Sequence, residues 1–130
     1  MIAAVLISMI MLSGCQEVSD QQQISGMMKQ WKLAYQQEDI DKMLSSYSED
    51  YSGSNGETKE QVRGFLGQIK EQGYLTGSEM DLDEAKIKIS GNTATVEPIR
   101  YAGDWGEMET SRVLKKEKDN VWRVVTSKEY

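Results

Sequence analysis

The sequence has 130 residues, a formal net charge of −6 and no histidine. This length suits a single domain. The acidic balance argues against nucleic acid as a partner, because phosphate binding needs clustered lysines and arginines. The lack of histidine removes the side chain used most often as a general base near neutral pH and as a metal ligand.

The first 14 residues carry no charged side chain and are followed by Cys15, the single cysteine of the chain. A membrane-spanning helix needs about 20 apolar residues, so a secretory signal sequence fits this segment better. The ending Leu12-Ser13-Gly14-Cys15 resembles the lipobox of bacterial lipoproteins, which is a leucine, two small residues and the cysteine to be lipidated. The resemblance implies cleavage of residues 1–14 and acylation of Cys15, with residues 15–23 as lipidated cysteine and polar tether.

This interpretation places the protein on the extracytoplasmic side of a bacterial membrane, with membrane lipid as a partner through acylated Cys15. An aspartate directly after the lipidated cysteine would resemble an inner-membrane retention signal. This chain has Gln16 at that position, so an outer membrane is favoured where the cell has one. Signal peptides normally begin with Lys or Arg, and the uncharged segment before Cys15 contains neither. A start codon further upstream would supply such a residue. The alternative is a buried N-terminal strand or helix with an incidental cysteine.

The segment from residue 24 to residue 51 organises the rest of the chain. Its apolar residues recur at intervals of three and four, which predicts two consecutive amphipathic helices with a break at Glu38-Asp39. Asp20, with Gln23 three residues later, predicts the N-cap and capping box of the first helix. Asp39 is the predicted N-cap of the second helix, which we expect to end at residues 48–51.

A third helix is predicted between two boundary signals. Thr58 and Gln61 form a capping box, Val62 begins an apolar face with the same helical spacing, and Gly73 ends the helix. Beyond Gly73 no helical spacing appears.

The C-terminal part of the chain predicts four antiparallel strands. Apolar and polar residues alternate there, and clusters of turn-forming residues separate the alternating runs. In the first strand the alternation slips at Asp83-Glu84, which suggests a bulge. Pro98 cannot donate to a ladder, so it places the second strand at an edge or a bulge. The predicted strands are residues 80–89, 93–101, 107–116 and 121–126.

Three helices followed by four antiparallel strands define an α+β class, with the helices packed on one face of the sheet. The details resemble the nuclear transport factor 2-like superfamily, including its SnoaL-like branch with a cystatin-like fold. Trp31, Ala34, Glu38-Asp39 and Leu44 match the family's helical pair. Tyr47-Ser-Glu-Asp50-Tyr51 precedes a glycine loop and a capped helix, and the closing hairpin VLKKEKDNVWRVV has a Trp after its turn. The resemblance covers residues 22–127, within a predicted domain of residues 24–130.

In that superfamily the curved sheet and the helices form a cone whose open end is a pocket. The resemblance therefore implies a pocket lined by aromatic residues, with Arg100 near Pro98 as the cation that holds a ligand carboxylate. A small amphipathic or acidic molecule suits such a site. Core packing is the alternative for each aromatic residue, and we expect Trp122 to be structural. The candidate pocket residues are Trp31, Tyr35, Tyr51, Arg100, Tyr101 and Trp105.

Some members of the superfamily are isomerases, cyclases or dehydratases, but the isomerase residues are not matched here. The family's tyrosine, base and second acid fall at or near Trp31, Asn55 and Ser111, and none of these is chemically equivalent. We therefore expect no catalytic residue, no metal and no cofactor, and a non-catalytic binding or accessory domain. The alternatives are a small isomerase or lyase that uses the pocket, and a structural envelope protein that forms a homodimer through its sheet.

Overall fold

The computed structural model describes residues 18–130, so the predictions for the signal sequence and Cys15 lie outside the described residues. The described part is an α+β domain in which three helices precede five strands and pack on a curved antiparallel sheet. The elements are α1 (Asp20–Gln36), α2 (Ile40–Leu44), α3 (Lys59–Glu71), β1 (Glu79–Asp81), β2 (Lys86–Ser90), β3 (Thr93–Gly103), β4 (Gly106–Lys116) and β5 (Trp122–Glu129).

Helix α1 begins one residue earlier than its sequence signals predict. Ser19, not Asp20, is the N-cap, and its hydroxyl and the Gln22 side chain complete the capping box. Asp20 is therefore free to use its carboxylate elsewhere, on the sheet. The buried face of α1 follows the predicted helical spacing, with Ile24, Trp31, Ala34 and Tyr35 against the sheet.

The predicted second helix is much shorter than expected. Asp39 caps it as predicted, but α2 ends at Leu44 and does not continue to residues 48–51. The physical reason is competition from the sheet. Val124 donates from its N–H to the carbonyl of Ser46 and accepts from the N–H of Ser48, at 2.8 and 2.9 Å. Tyr47, which pairs with Val124 of β5, and Tyr51, which follows a turn at residues 49–50, are therefore buried from an irregular segment beside β5.

Helix α3 has the predicted boundaries, with the Thr58–Gln61 capping box at its start and Gly73 at φ 79° after its end. None of its residues is fully buried. The helix lies beside α2, and its apolar residues Val62, Leu66 and Ile69 pack against the edge of the core while remaining partly exposed.

The sheet has five strands, not the predicted four. The expected first strand is divided, because residues 82–85 form a turn in which the Ala85 N–H donates to the Leu82 carbonyl. β1 and β2 both pair with the same edge of β3, so the sheet runs β1-β3-β4-β5 with β2 beside β1 along that edge. β3 pairs on both sides, and Pro98 is accommodated at a bulge.

Two bulges set which side chains face the helices. One extra residue lies in β3 between Val96 and Ile99, and one in β5 opposite the Val113-Leu114 step of β4. Each extra residue shifts the alternation of its strand by one position. Inward-facing residues therefore have even numbers on one side of the bulge and odd numbers on the other. In β3 the buried inward residues are Ala94 and Val96 before the bulge and Ile99 after it.

The core is closed at one end by the β4–β5 hairpin and the start of α1. Trp122 is 1% exposed, as its predicted structural role requires. Its indole N–H donates to Asp20 at 3.0 Å, and its backbone N–H donates to the side-chain carbonyl of Gln23 at 3.0 Å. We call this end of the domain the closed end. Among residues 18–130 no helix has both the length and the apolar character to cross a membrane.

Candidate functional site

The opposite end of the domain holds a cavity of about 640 Å³ between the inward face of the sheet, α1 and α3. Its size lies within the range of small-molecule sites. The walls are mainly aromatic and aliphatic. They include Trp31, Tyr35, Tyr47, Tyr51, Glu57, Val62, Phe65, Leu66, Tyr74, Tyr101, Trp105, Arg112, Ser127 and Glu129.

Five of the six predicted pocket residues line this cavity, and one does not. Trp31 and Tyr35 come from α1, Tyr51 from the segment after α2, and Tyr101 and Trp105 from β3 and the turn that follows it. The sixth, Arg100, lies on the outer face of the sheet.

The bulge at Pro98 accounts for the position of Arg100. Without the extra residue, Arg100 would share the inward face with Val96, because the two differ by an even number of positions. After the shift, Arg100 points outward and forms ion pairs with Glu84 at 2.8 Å and Glu109 at 3.6 Å. These carboxylates hold the pKa of Arg100 above its ordinary value.

The cation of the cavity is Arg112, on β4. It is 7% exposed, and its guanidinium carbon lies 4.4 Å from the centre of the Trp31 ring and 5.4 Å from that of Tyr47. One terminal nitrogen donates to the Tyr101 hydroxyl at 3.1 Å. Burial opposes the charge of Arg112, but the surrounding tyrosines together outweigh it and hold the pKa of Arg112 above its ordinary value. An arginine side chain stays protonated in proteins, so this one is charged.

Tyrosine hydroxyls surround the interior of the cavity. Tyr35 and Ser78 share a hydrogen bond of 2.6 Å, and the Tyr35 ring lies 5.2 Å from the Tyr101 ring. Burial raises the pKa of Tyr35, Tyr51 and Tyr101. The three phenols are therefore neutral hydrogen-bond donors at physiological pH and contribute no negative charge.

The mouth of the cavity carries exposed aromatic side chains. Phe65 of α3 is 61% exposed, Tyr74 is 51% exposed and Trp105 is 40% exposed. Two carboxylates, Glu57 and Glu129, also line the cavity, the first half-buried and the second exposed. The lining of the cavity therefore combines exposed aromatic side chains with two negatively charged carboxylates.

Glu57 does not have the properties of a buried general base. Its own backbone N–H and that of Asn55 lower its pKa, the latter through a 3.1 Å hydrogen bond to the carboxylate. A base that works at neutral pH needs a raised pKa instead. Residues 18–130 contain no group of three or more side chains that could hold a metal ion.

Sequence analysis considered Arg112 as a polar candidate but did not select it for the pocket, and it missed Ser127. Arg112 is one of several polar residues on the alternating strands. Which face of β4 it occupies depends on how the bulges in the neighbouring strands set the alternation. Ser127 follows the bulge in β5, which turns it toward the cavity opposite Arg112. The detectable signal was Pro98, since a proline in a paired strand indicates a bulge and hence a change of face.

Known structures share this architecture at low sequence identity. A cystatin-like-fold protein of unknown function from Nostoc punctiforme is 16% identical with a TM-score of 0.66, over 87% of this chain and 92% of that one. A nuclear transport factor 2-like protein of unknown function from Shewanella oneidensis is 15% identical with a TM-score of 0.65, over 85% and 98%. A candidate ketosteroid isomerase from Shewanella frigidimarina is 18% identical with a TM-score of 0.63, over 81% and 92%.

These identities show the fold and nothing finer. No curated protein matches the chain. The SnoaL-like domain family, however, matches residues 24–128, which is nearly the whole of the described part. The chain therefore belongs to the SnoaL-like domain family, with the nuclear transport factor 2-like cone that the cavity and the curved sheet display.

Proposed function

We propose that the protein is a membrane-anchored bacterial lipoprotein whose SnoaL-like domain binds a small amphipathic molecule without transforming it. The observation that carries the binding function is the cavity of about 640 Å³, open at one end and walled by aromatic side chains. A domain that needed these residues only for its core would bring them into contact and exclude the space.

The position of α3 supports a ligand site. Val62, Phe65 and Leu66 line the cavity, yet none is fully buried. An apolar ligand would cover part of this surface and remove it from water, at roughly 25 cal/mol for each Å² buried. A ligand in the cavity would therefore add apolar contacts to these α3 side chains.

The candidate ketosteroid isomerase among the similar structures makes an enzyme the competing hypothesis. Such an enzyme needs a carboxylate poised to accept a proton inside an apolar site. Of the two carboxylates that line the cavity, Glu57 has a lowered pKa and Glu129 is exposed. The lining thus favours binding over proton transfer.

A ligand panel tests the binding function. The full chain in phospholipid nanodiscs is titrated calorimetrically with compounds of about 10–20 non-hydrogen atoms that include neutral, acidic and basic members, and empty nanodiscs give the blank. We expect saturable binding by at least one amphipathic class, with recovery of the compound unchanged. Binding by none would contradict the function, and turnover of a bound compound would establish the enzyme instead.

The matched control compares a substitution in the cavity wall with one at the closed end. Trp31→Phe reshapes the cavity wall and should weaken binding, whereas Val121→Ala changes an exposed apolar residue at the closed end and should not. Equal effects of both substitutions would place the ligand outside the cavity.

The lipid anchor has a separate test. The lipobox-like ending at Cys15 predicts incorporation of a fatty-acid probe and recovery of the protein in the membrane fraction. Cys15→Ser should abolish both, whereas Ser13→Ala keeps a small residue and should retain them. Unchanged labelling of the Cys15→Ser protein would contradict the anchor and leave the binding proposal in place. Fractionation of the two membranes of a diderm host would test the predicted outer-membrane location.

A further inference from the structure

The interior of the cavity contains a buried positive charge with no carboxylate beside it. Among residues 18–130, Arg63, Arg100 and Arg123 each form ion pairs with acidic side chains. Arg112 is more than nine-tenths buried and forms none. Buried charges in proteins are normally paired, since burying an ion without a partner is costly. The surrounding rings and one phenol are the only partners that the described residues provide for this guanidinium.

Two polar atoms at the same place have no hydrogen-bond partner. Within residues 18–130, the buried side-chain nitrogen and oxygen atoms without a well-formed hydrogen bond are Arg112 Nη1 and Ser127 Oγ, although Ser127 lies close enough to the Tyr51 hydroxyl to lower the pKa of that phenol. The two residues lie directly opposite each other on β4 and β5, and both line the cavity. Such atoms are rare in folded proteins and call for an explanation in terms of a missing partner. Both can donate a hydrogen bond.

A third donor stands beside them. The Tyr101 hydroxyl accepts from Arg112 Nη2 at 3.1 Å, so its own proton remains available for another acceptor. Burial keeps this phenol protonated by raising its pKa. The interior thus offers three donors, one positive charge and no competing carboxylate.

We propose that Tyr101, Arg112 and Ser127 form an anion site that binds the carboxylate of a monocarboxylic acid, with its apolar body directed toward the mouth. This inference rests on the proposed binding function and specifies its ligand class. The guanidinium carbon lies over the rings of Trp31 and Tyr47 and Nη2 bonds Tyr101, which leaves Nη1 for the ligand. Arginine guanidinium groups suit the two oxygens of a carboxylate.

The charges of the cavity limit the ligand to one negative group at one end. Arg112 is the single cation among the lining residues, so a doubly charged phosphate would keep part of its charge uncompensated. Glu57 and Glu129 line the cavity and would repel a second negative group. An ammonium group would meet Arg112 in the interior. A neutral or apolar tail avoids the repulsion by these carboxylates, and the aromatic rim suits it.

The experiment compares three ligands of one shape. The full chain in nanodiscs is titrated calorimetrically with 4-phenylbutanoate, 4-phenylbutanol and 4-phenylbutylamine, with empty nanodiscs as the blank. We expect the acid to bind about 10- to 100-fold more tightly than the alcohol, the range for hydrogen bonds to charged groups. The amine should bind more weakly than the alcohol.

Variants assign the preference to the proposed site. Arg112→Met should reduce the affinity for the acid to that for the alcohol, while affinity for the alcohol changes little. Ser127→Ala and Tyr101→Phe each remove one hydroxyl and should weaken acid binding about 3- to 10-fold. Arg100→Gln is the control, because this arginine lies outside the cavity. If Arg112→Met does not fold, the two hydroxyl variants still measure the preference.

The possible failures are distinguishable. If none of the three compounds nor any of the wider panel binds, the proposed binding function fails and this inference with it. If the alcohol binds as tightly as the acid, or Arg112→Met and both hydroxyl variants retain the preference for the acid, the cavity is a binding site but not for a carboxylate held by Arg112. Loss of the preference in Arg100→Gln would move the anion to the outer face of the sheet and overturn the assignment.

Discussion

The two ends of the domain treat their polar groups differently. At the closed end, Trp122 is buried and both of its N–H groups have acceptors on α1. At the open end, Arg112 is also buried and Ser127 is half-buried, yet each retains a buried polar atom without a partner. Local rules of good packing and full hydrogen bonding hold at one end and fail at the other, which is the pattern expected when one end provides stability and the other a site.

The largest expected effect is at the closed end. Trp122→Ala should lower the free energy of unfolding by about 3–5 kcal/mol, because it leaves a large cavity in the core. Trp105→Ala is the control at the open end, where the side chain is 40% exposed and should cost less than about 1 kcal/mol. Urea unfolding measures both. Equal losses for the two tryptophans would contradict the distinction between the ends.

A pH-dependent effect should also belong to the closed end. The hydrogen bond from the Trp122 indole, and then Lys116, lower the pKa of Asp20. The carboxylate therefore stabilises the fold above its unfolded pKa of about 3.9, and this contribution is lost as the pH falls through the lower folded value. Asp20→Asn should show a lower urea midpoint than the unsubstituted protein at pH 7.

The difference between these two proteins should shrink as the pH falls below 4, since Asp20 becomes protonated. Asp104→Asn, in the exposed turn after β3, is the control and should match the unsubstituted protein at both pH values. A gap that stays constant from pH 7 to acid would show that Asp20 acts through packing and not through its charge.

The smallest expected effect on stability is at the open end, despite deep burial. Arg112→Met should lower the free energy of unfolding by no more than about 1 kcal/mol, and an increase is equally consistent, because removal of an uncompensated buried charge offsets the lost contacts with the rings. Leu114→Ala, two residues along the same face of β4 and fully buried, should cost about 2–5 kcal/mol. A loss of similar size at Arg112 would make this residue structural and contradict the comparison.

The sequence carried enough local information to predict most helix boundaries and turns. Asp39 and Thr58 cap helices through side chains that bond nearby backbone N–H groups, and such contacts depend on spacing alone. The end of α2 was not predictable in this way. It depends on two hydrogen bonds with Val124, which is remote in the chain: the Val124 N–H donates to the Ser46 carbonyl, and the Ser48 N–H donates to the Val124 carbonyl.

The candidate site was predicted in part for the same reason. The aromatic residues could be identified because they are large, apolar and placed on inward faces. Arg112 could not be distinguished from Arg100, because a one-residue bulge decides which arginine faces the helices. The division of the first predicted strand into β1 and β2 is different, because it rests on local hydrogen bonds from Ala85 to Leu82 and from Asp83 to Asp81. The slip at Asp83-Glu84 was its signal, but we interpreted it as a bulge and not as a turn.

The start of α1 determines how the cavity would be oriented above a membrane. Asp20 bonds Lys116 at the last residue of β4, whereas the cavity mouth lies beside Gly106 at its first. β4 has 11 residues, so the two ends are separated by roughly 30 Å. Under the proposed anchor, only two residues separate Cys15 from Val18, a span of at most about 11 Å. The closed end would then rest near the bilayer and the mouth would open toward the aqueous compartment, so the acid would be captured from solution and not by lateral diffusion within the membrane.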